Sequence, residues 1–210
     1  MNPRKLISPA MELLLKQAPK ALMLATLCLA LFATFVLALS ACSTVKPVKY
    51  SSLASWPYLR VNPDDRNGTH MPYRYALPQD WSRYRKLILE PVQIYNGPDA
   101  EFHHVSDAER SKLAQFMQAT FTEKLAARFD LVNEPGADTL RVRLTLTGAG
   151  TALPGYVIYA VEILDSSSNQ LVEAFIERYP DGGLSARLSS PDAPRTGIER
   201  GADELLAQFR

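Results

Sequence analysis

The most regular pattern of apolar and polar side chains runs from residue 140 to residue 147, where the two kinds alternate. Successive side chains of an extended strand point to opposite faces, so this period of two predicts a β-strand with one buried and one solvated face. The buried positions would be Leu140, Val142, Leu144 and Leu146.

Three further apolar runs also predict strands. Residues 156–164 and 171–179 are rich in β-branched and aromatic side chains, and the polar turn 165–170 between them predicts a hairpin. Residues 85–95 form a shorter run typical of a strand buried on both faces. Pro91 must mark an end or a bulge of that strand, because proline lacks the backbone N–H donor.

Two segments have helical periodicity. Ser106 and Glu109 have the spacing of a capping box, in which each side chain bonds to the other residue's backbone amide, so a helix is expected to begin there. It should end near Phe129, with a brief strand at 131–133 after it. Its apolar residues recur at spacings of three and four and would face a sheet: Leu113, Phe116, Met117, Phe121, Leu125 and Phe129. A last helix shares an apolar face formed by Ile198, Ala202, Leu205, Leu206 and Phe209.

The N-terminal 41 residues have the features of a secretory signal. An apolar run from Ala21 ends in Leu39-Ser40-Ala41-Cys42, which looks like a bacterial lipobox. Small side chains before the cysteine suit a peptidase groove, and Cys42 supplies the sulfur that is acylated. The alternative is an uncleaved transmembrane helix, since about 20 apolar residues can span a bilayer. A cysteine at the polar edge of the run favours the lipoprotein.

An acylated Cys42 would anchor the mature chain to a membrane. Two or more acyl chains hold a protein stably, whereas a single chain binds reversibly. Residue 43 is Ser rather than the Asp that retains many enteric lipoproteins at the inner membrane, so by that resemblance the periplasmic face of the outer membrane is expected. Cys28 lies within the signal, so the mature chain has no pair of cysteines and core packing must hold it together.

Residues 43–80 lack a sustained period, and their five prolines predict an irregular arm. Aromatic residues crowd this arm and its exit, which is unusual for a disordered linker. They either pack on the protein's own domain or form a patch that contacts a partner, because tryptophan and tyrosine are common at binding hot spots. That patch would comprise Tyr50, Trp56, Tyr58, Trp81 and Tyr84.

Together these elements predict an α+β fold, with a mixed four- to five-stranded sheet and two helices packed on one face. The irregular arm, rich in proline and aromatic residues, precedes it. The expected organisation is a signal peptide at 1–41, a lipidated tether or arm at 42–80, and an α+β periplasmic domain at 81–210.

The charge balance excludes one class of partner. Four of the 23 basic and one of the 22 acidic side chains precede Cys42, which leaves 19 basic and 21 acidic after it. This near-neutral total without a basic cluster argues against nucleic acid. The carboxylates are scattered singly, and Glu162 and Asp165 among them are expected to be solvated.

The sequence holds no recognised catalytic or cofactor-binding motif. There is no His-Glu-x-x-His, no Gly-x-Ser-x-Gly and no phosphate-binding glycine loop. His103 and His104 would point apart, so a metal site there would need distant carboxylates. Ser106 and Asp107 near His104 are the residue types of a hydrolase triad, but Ser106 already serves as a helix cap. We therefore expect no enzymatic activity, no catalytic residues, no cofactor and no metal.

Five segments, taken in order, carry a family resemblance: Tyr50-Ser51-Ser52-Leu53, Tyr58-Leu59-Arg60-Val61-Asn62-Pro63, Asp80-Trp81-Ser82-Arg83-Tyr84-Arg85-Lys86, Glu90-Pro91-Val92 and Val161-Glu162-Ile163-Leu164-Asp165-Ser166. They resemble the uncharacterised Gram-negative lipoprotein family known as domain of unknown function 3313. The resemblance implies that the chain is a lipoprotein, and it provides no catalytic residues that could be assigned to this sequence. Family members have a longer apolar, glycine-rich stretch before the hairpin, of which Gly148 to Gly155 remains here.

These observations favour a non-enzymatic envelope lipoprotein that binds or assembles with another envelope component. It would contact the membrane through its N-terminal lipid and an envelope protein through the aromatic patch. The alternative is a carrier of a small ligand or lipid in a cavity between helix and sheet, and a hydrolase comes third. The order of elements is also similar to that of small α/β domains of periplasmic assembly and secretion lipoproteins, some of them ring-forming, so self-association is worth measuring.

Acylation of Cys42 can be checked by intact-mass analysis of the protein purified from a Gram-negative host. We expect a mature chain that begins at Cys42, carries the added mass of its acyl chains, and fractionates with the outer membrane. Cys42→Ala removes the acylated sulfur and should abolish that added mass. A wild-type protein with a bare thiol and the leader still attached would contradict the prediction.

Overall fold

The computed structural model describes three stretches of this chain, residues 48–152, 155–180 and 192–209. The predicted signal peptide at 1–41, with Leu39, Ser40 and Ala41, and the predicted lipidation site Cys42 lie outside the described residues. Within those stretches, no helix combines the length and the apolar character that crossing a bilayer requires.

The described residues form one mixed sheet of nine strands and two α-helices. The strands are β1 (Arg60–Val61), β2 (Tyr73–Ala76), β3 (Lys86–Leu89), β4 (Gln93–Ile94), β5 (Glu101–His103), β6 (Asp130–Leu131), β7 (Thr139–Gly150), β8 (Tyr156–Asp165) and β9 (Leu171–Tyr179). The helices are α1 (Asp107–Ala126) and α2 (Ala193–Gln208). The strand order is β1-β2-β9-β8-β7-β3-β6, and β4 and β5 also pair with β7.

The α+β class and the mixed sheet with two helices are confirmed, but the predicted number of strands was wrong. The described part of the sheet has nine strands rather than four or five. Four of the strands, β1, β4, β5 and β6, contain only two or three residues, too few for a hydrophobic period to register in the sequence. Strands β4 and β5 pair with the long strand β7, while β1 and β6 pair with the four-residue strands β2 and β3, so each short strand satisfies backbone groups at the edge of a neighbour.

Strands β3, β4 and β5 all pair parallel with β7, one after another along its length, like a single strand with interruptions. The pairs Leu87–Leu140, Ile94–Leu146 and Phe102–Ala149 run in the same direction along β7. The break between β3 and β4 contains Pro91. This confirms the prediction that the strand ends or bulges there, because proline has no backbone N–H to donate.

The hairpin of β8 and β9 lies at the centre of the sheet and is buried on both faces. Val157, Tyr159 and Val161 of β8 belong to the cluster that packs under the helices. Ile158 and Ala160, which alternate with them, belong to a second cluster on the opposite face. Both faces of the sheet therefore need a covering layer.

The helices cover one of these faces. The predicted capping box is present, because the Glu109 amide donates to Ser106 Oγ and the Ser106 amide donates to the Glu109 carboxylate at 2.8 Å. Helix α1 ends at Ala126, a little before the predicted end near Phe129. Met117 and Phe121 of its predicted apolar stripe are fully buried.

Asp165, at the end of β8, is buried, which corrects the expectation that it is solvated. Its carboxylate accepts hydrogen bonds from the backbone amides of Ser167 and Ser168 and, at 3.0 Å, from the Tyr84 hydroxyl. Burial opposes ionisation, but these hydrogen bonds outweigh it and lower the pKa of Asp165. The ionised carboxylate thus ties residues 81–84 to the hairpin turn.

Replacing this carboxylate should destabilise the protein in a pH-dependent way. Asp165→Asn loses charge-assisted hydrogen bonds. We therefore expect the free energy of unfolding, measured in urea at pH 7, to fall by about 2 kcal/mol. Because the pKa of Asp165 is lower in the folded state, its contribution is present above the unfolded pKa of about 3.9 and is lost as the pH falls below it. The difference from wild type should therefore shrink at pH 3. The exposed control Asp64→Asn should change stability by less than about 0.5 kcal/mol, and a difference at Asp165 that does not vary with pH would contradict the assignment.

Candidate functional site

Residues 48–59 cover the face of the sheet opposite the helices. Tyr50, Leu53 and Leu59 are buried there in one cluster with Ile158 and Ile176 of the central hairpin. Strand β2 extends this covering segment into the sheet itself, since it pairs antiparallel with β9. The part of the predicted irregular arm that the structure describes is therefore packed on the sheet, and two of its stretches are strands.

The structure separates the five aromatic residues that the sequence grouped as a partner patch. Tyr50 and Tyr84 are fully buried, because each fills the core beneath its own segment. Neither side chain can therefore contact a partner. Trp81 is half-buried and packs edge-on against Phe209 at 5.1 Å between ring centroids. Trp56 and Tyr58 remain exposed, at 42% and 50%.

The two exposed rings are held in place by neighbouring groups. The Lys49 Nζ lies 4.9 Å from the centroid of the Trp56 ring, in cation–π contact. The rings of Tyr58 and Tyr75 lie 5.4 Å apart. The Arg60 guanidinium donates to the backbone carbonyls of Pro57, Tyr58 and Leu59. The rings are thus presented on an ordered turn.

Two clefts, of about 530 and 450 Å³, lie beside this turn on the arm side of the sheet. Ala54, Arg143 and Glu162 line both. The larger cleft is also bounded by Tyr95 and the smaller one by Tyr58. Tyr58 thus borders the smaller cleft, and we call the two clefts together with the nearby Trp56 and Tyr58 rings the arm-side face.

Charged groups of the underlying strands lie at the bottom of the arm-side face. Glu162 is buried, contrary to the expectation that it is solvated, and its carboxylate accepts a hydrogen bond from the Ser55 amide at 2.7 Å. Arg143 pairs with Glu90 at 2.8 Å. The arm covers Glu162, while Arg143 and Glu90 line the larger cleft and stay partly exposed, so the polar face of strand β7 is only half-solvated.

A second set of polar side chains meets where β9, α2 and residues 62–72 come together. The Tyr159 hydroxyl donates to Glu177 at 2.6 Å, and the Tyr179 hydroxyl donates to Glu204 at 2.7 Å. His70 Nε2 lies 3.2 Å from the Glu204 carboxylate. We call these five residues the junction cluster.

Glu177 is the most buried carboxylate of the junction cluster, at 3% exposed. Burial raises the pKa of Glu177 to about 7, although the hydrogen bond from Tyr159 acts in the opposite direction. Burial and the adjacent Glu177 carboxylate likewise raise the pKa of Tyr159 and of Tyr179. The tyrosines thus remain neutral hydrogen-bond donors to the two carboxylates.

Helix α2 approaches the junction cluster closely because two glycines face it. A Cβ at Gly197 would lie 2.5 Å from the Tyr179 Cβ, and a Cβ at Gly201 would lie 1.6 Å from the Tyr159 hydroxyl. The sequence shows these glycines, but nothing in their spacing indicates that a tyrosine hydroxyl occupies the space of the missing side chain.

The histidine pair singled out by the sequence lies elsewhere. His103 and His104 are exposed, and the His103 ring bonds to the Tyr156 hydroxyl. The Ser106 hydroxyl donates to Glu109 at 2.6 Å, which is consistent with its role as a helix cap. His70 was not predicted as a site residue, because its partners Glu177 and Glu204 are distant along the chain and no short motif connects them.

The fold and the candidate sites define the protein as an α+β domain with helices on one face of a mixed sheet and an N-terminal arm on the other. The chain belongs to the DUF3313 family of proteins of unknown function, whose model matches residues 49–155. This confirms the resemblance noted in the sequence. No curated protein matches the chain.

Solved structures show distant likenesses. The PelC dodecamer of Paraburkholderia phytofirmans is 12% identical with a TM-score of 0.38, over 63% of this chain and 94% of that one. A Xanthomonas campestris protein of the DUF330 family is 9% identical with a TM-score of 0.37, over 59% and 82%. A Caulobacter crescentus CB15 protein, provisionally described as a lipoprotein, is 16% identical with a TM-score of 0.27, over 52% and 83%.

The close approach at Gly201 can be tested by a double-mutant cycle. Gly201→Ala should destabilise the protein by about 1 to 3 kcal/mol through overpacking, although alanine is the better helix former by about 1 kcal/mol. Tyr159→Phe removes the hydroxyl nearest to the new methyl group. Gly201→Ala should therefore lower the free energy of unfolding by less in the Tyr159→Phe variant than in wild type. Urea unfolding of the four proteins measures both effects. Equal stability of Gly201→Ala and wild type would show that α2 lies farther from the sheet.

Proposed function

We propose that this protein is a non-enzymatic lipoprotein, anchored through Cys42 at the periplasmic face of the outer membrane, which binds another envelope protein through the arm-side face. The observation that carries the proposal is the exposure of Trp56 and Tyr58 on a segment that is anchored by the buried residues Ser55 and Leu59. The lipobox-like sequence before Cys42 supports the anchor.

Exposed aromatic rings on an ordered turn suit protein recognition. Trp56 and Tyr58 offer large apolar areas, and their contacts with Lys49 and Tyr75 restrict their motion before any partner arrives. A pre-ordered side chain loses less entropy on binding than a mobile one. Tryptophan and tyrosine are also enriched among the residues that dominate binding energy.

The clefts beside the rings indicate the chemistry of the partner. A cleft of about 450 Å³ bounded by Tyr58 and Leu171 can take an apolar side chain, while Arg143 and Glu162 line its polar side. A partner segment would therefore combine an apolar anchor with hydrogen-bonding groups, which is the usual composition of an interface core.

A short tether supports a partner that lies near the membrane. Val48 lies six residues after Cys42, so an extended tether reaches at most about 22 Å. Lys49, next along the chain, contacts Trp56. An acylated Cys42 would thus hold the arm-side face close to the bilayer, where it can meet membrane-associated proteins or a second copy of this chain.

A carrier of a small ligand or lipid is a second candidate, and the larger cleft supports it. Its volume of about 530 Å³ is within the usual range of small-ligand sites. The ligand would lie on the arm side of the sheet rather than between helix and sheet, where Met117 and Phe121 fill the core. Release of a bound small molecule in native mass spectrometry of the purified protein would support this candidate over the first.

Site-specific crosslinking in cells tests the binding surface. A photoreactive residue at position 56 should capture an envelope protein that mass spectrometry identifies, and one at Gln115, exposed on α1, should not. Because Trp56 and Tyr58 are exposed, the double substitution Trp56→Ala and Tyr58→Ala should leave stability almost unchanged but weaken binding of the captured protein by about tenfold or more. Capture of bulk lipid alone from position 56, or unchanged binding in the double variant, would contradict the proposal.

A further inference from the structure

We propose that His70, Glu177 and Glu204 of the junction cluster bind one divalent metal cation, with Zn²⁺ as the best match to their donor atoms. The proposal is independent of the arm-side face and of the lipid anchor. It rests on the geometry of three donors from separate parts of the chain, on the orientation of one histidine ring, and on the charge that these groups bring together.

The three side chains converge on one point. One donor atom from each, an imidazole nitrogen and two carboxylate oxygens, lies within 4.8 Å of the other two. His70 Nε2 and Glu204 Oε2 are 3.2 Å apart. Ligands bound to a tetrahedral Zn²⁺ are separated by about 3.4 Å, given bonds of about 2.0 to 2.2 Å. Small rotations of the glutamate side chains would bring all three donor atoms to the distances that one bound ion requires.

The ring of His70 is oriented as a metal ligand requires. Its Nδ1 lies 3.3 Å from the Arg178 carbonyl oxygen, which can only accept, so in a neutral, metal-bound ring Nδ1 would carry the proton and donate there. The lone pair of a neutral ring is then on Nε2, which faces the carboxylates. Histidines that bind metals commonly donate their other ring nitrogen to a backbone carbonyl in this way.

The backbone of the histidine segment is also fixed. The Asp65 carboxylate accepts hydrogen bonds from the amides of His70 at 2.9 Å and of Met71. The Arg178 amide donates to the His70 carbonyl at 2.8 Å. The histidine is therefore held against β9 by contacts that do not depend on its ring.

The charges of the cluster point to a cation. Glu177 is almost fully buried and lies beside Glu204, and two adjacent carboxylates repel each other strongly where water is excluded. The tyrosine hydroxyls donate hydrogen bonds to them but bring no positive charge. Arg200 lies over the ring of Tyr179, 5.2 Å from its centroid. A divalent ion bound between the carboxylates would hold both of them in the ionised form and balance their charge.

The ligand set and its exposure indicate the kind of ion. One imidazole and two carboxylates suit borderline cations such as Zn²⁺ better than Ca²⁺ or Mg²⁺, which prefer oxygen ligands alone. The His70 and Glu204 side chains are 29% and 46% exposed, so an ion can enter from solvent and take water as its fourth ligand. A bound ion would join residues 62–72, β9 and α2.

The test is titration of the full-length, chelator-treated lipoprotein in detergent with Zn²⁺ alone, followed by calorimetry and by thermal unfolding. We expect one ion per chain and a midpoint of thermal unfolding that rises with Zn²⁺, because the ion binds the folded state. His70→Ala and Glu204→Gln should each weaken the affinity by at least about tenfold and remove the thermal shift. Both side chains are partly exposed, so these variants should still fold.

His103→Gln is the matched control, since His103 is an exposed histidine outside the junction cluster. It should bind Zn²⁺ as wild type does. The proposal fails if the wild-type chain binds no Zn²⁺ at one ion per chain. It also fails if His70→Ala and Glu204→Gln bind as tightly as wild type, or if His103→Gln alone abolishes binding, which would place the ion at the exposed histidine pair.

Discussion

The β8–β9 hairpin has apolar side chains on both faces, and neither face can be left open to water. Tyr159 and Val161 point toward the helices, while Ile158 and Ala160 point the other way. Burial of a large apolar side chain stabilises a fold by about 1.5 to 3 kcal/mol, so each face of the hairpin requires a layer of its own. Helices α1 and α2 form one layer, and residues 48–59 form the other.

The second layer accounts for the composition of the arm. Tyr50, Leu53 and Leu59 are buried in it, while Trp56 and Tyr58 lie on its outer side. A thin layer made of one irregular segment covers a sheet incompletely, and the two clefts lie where it leaves the strands uncovered. The same segment thus stabilises the fold and presents a recognition surface.

The first layer creates a different environment. Gly197 and Gly201 let α2 lie so close to β8 and β9 that polar groups of the sheet are enclosed beneath it. Glu177 is buried at this contact and is satisfied by Tyr159, while Tyr179 donates to Glu204 of the helix. Buried polar groups retain a free-energy cost unless they are paired, so this junction holds α2 in one position on the sheet.

The sequence by itself determined the elements whose cause is local or periodic. The capping box at Ser106, the alternation from 140 to 147, the break at Pro91 and the central hairpin follow from backbone chemistry and from side-chain period. Only the tertiary structure decided that Tyr50 is core and Trp56 is surface, that Glu162 and Asp165 are buried, and that His70 meets Glu177 and Glu204. These outcomes depend on which distant segments pack together. The residues next to a position in the sequence do not indicate such contacts, because the whole fold determines which side chains are buried.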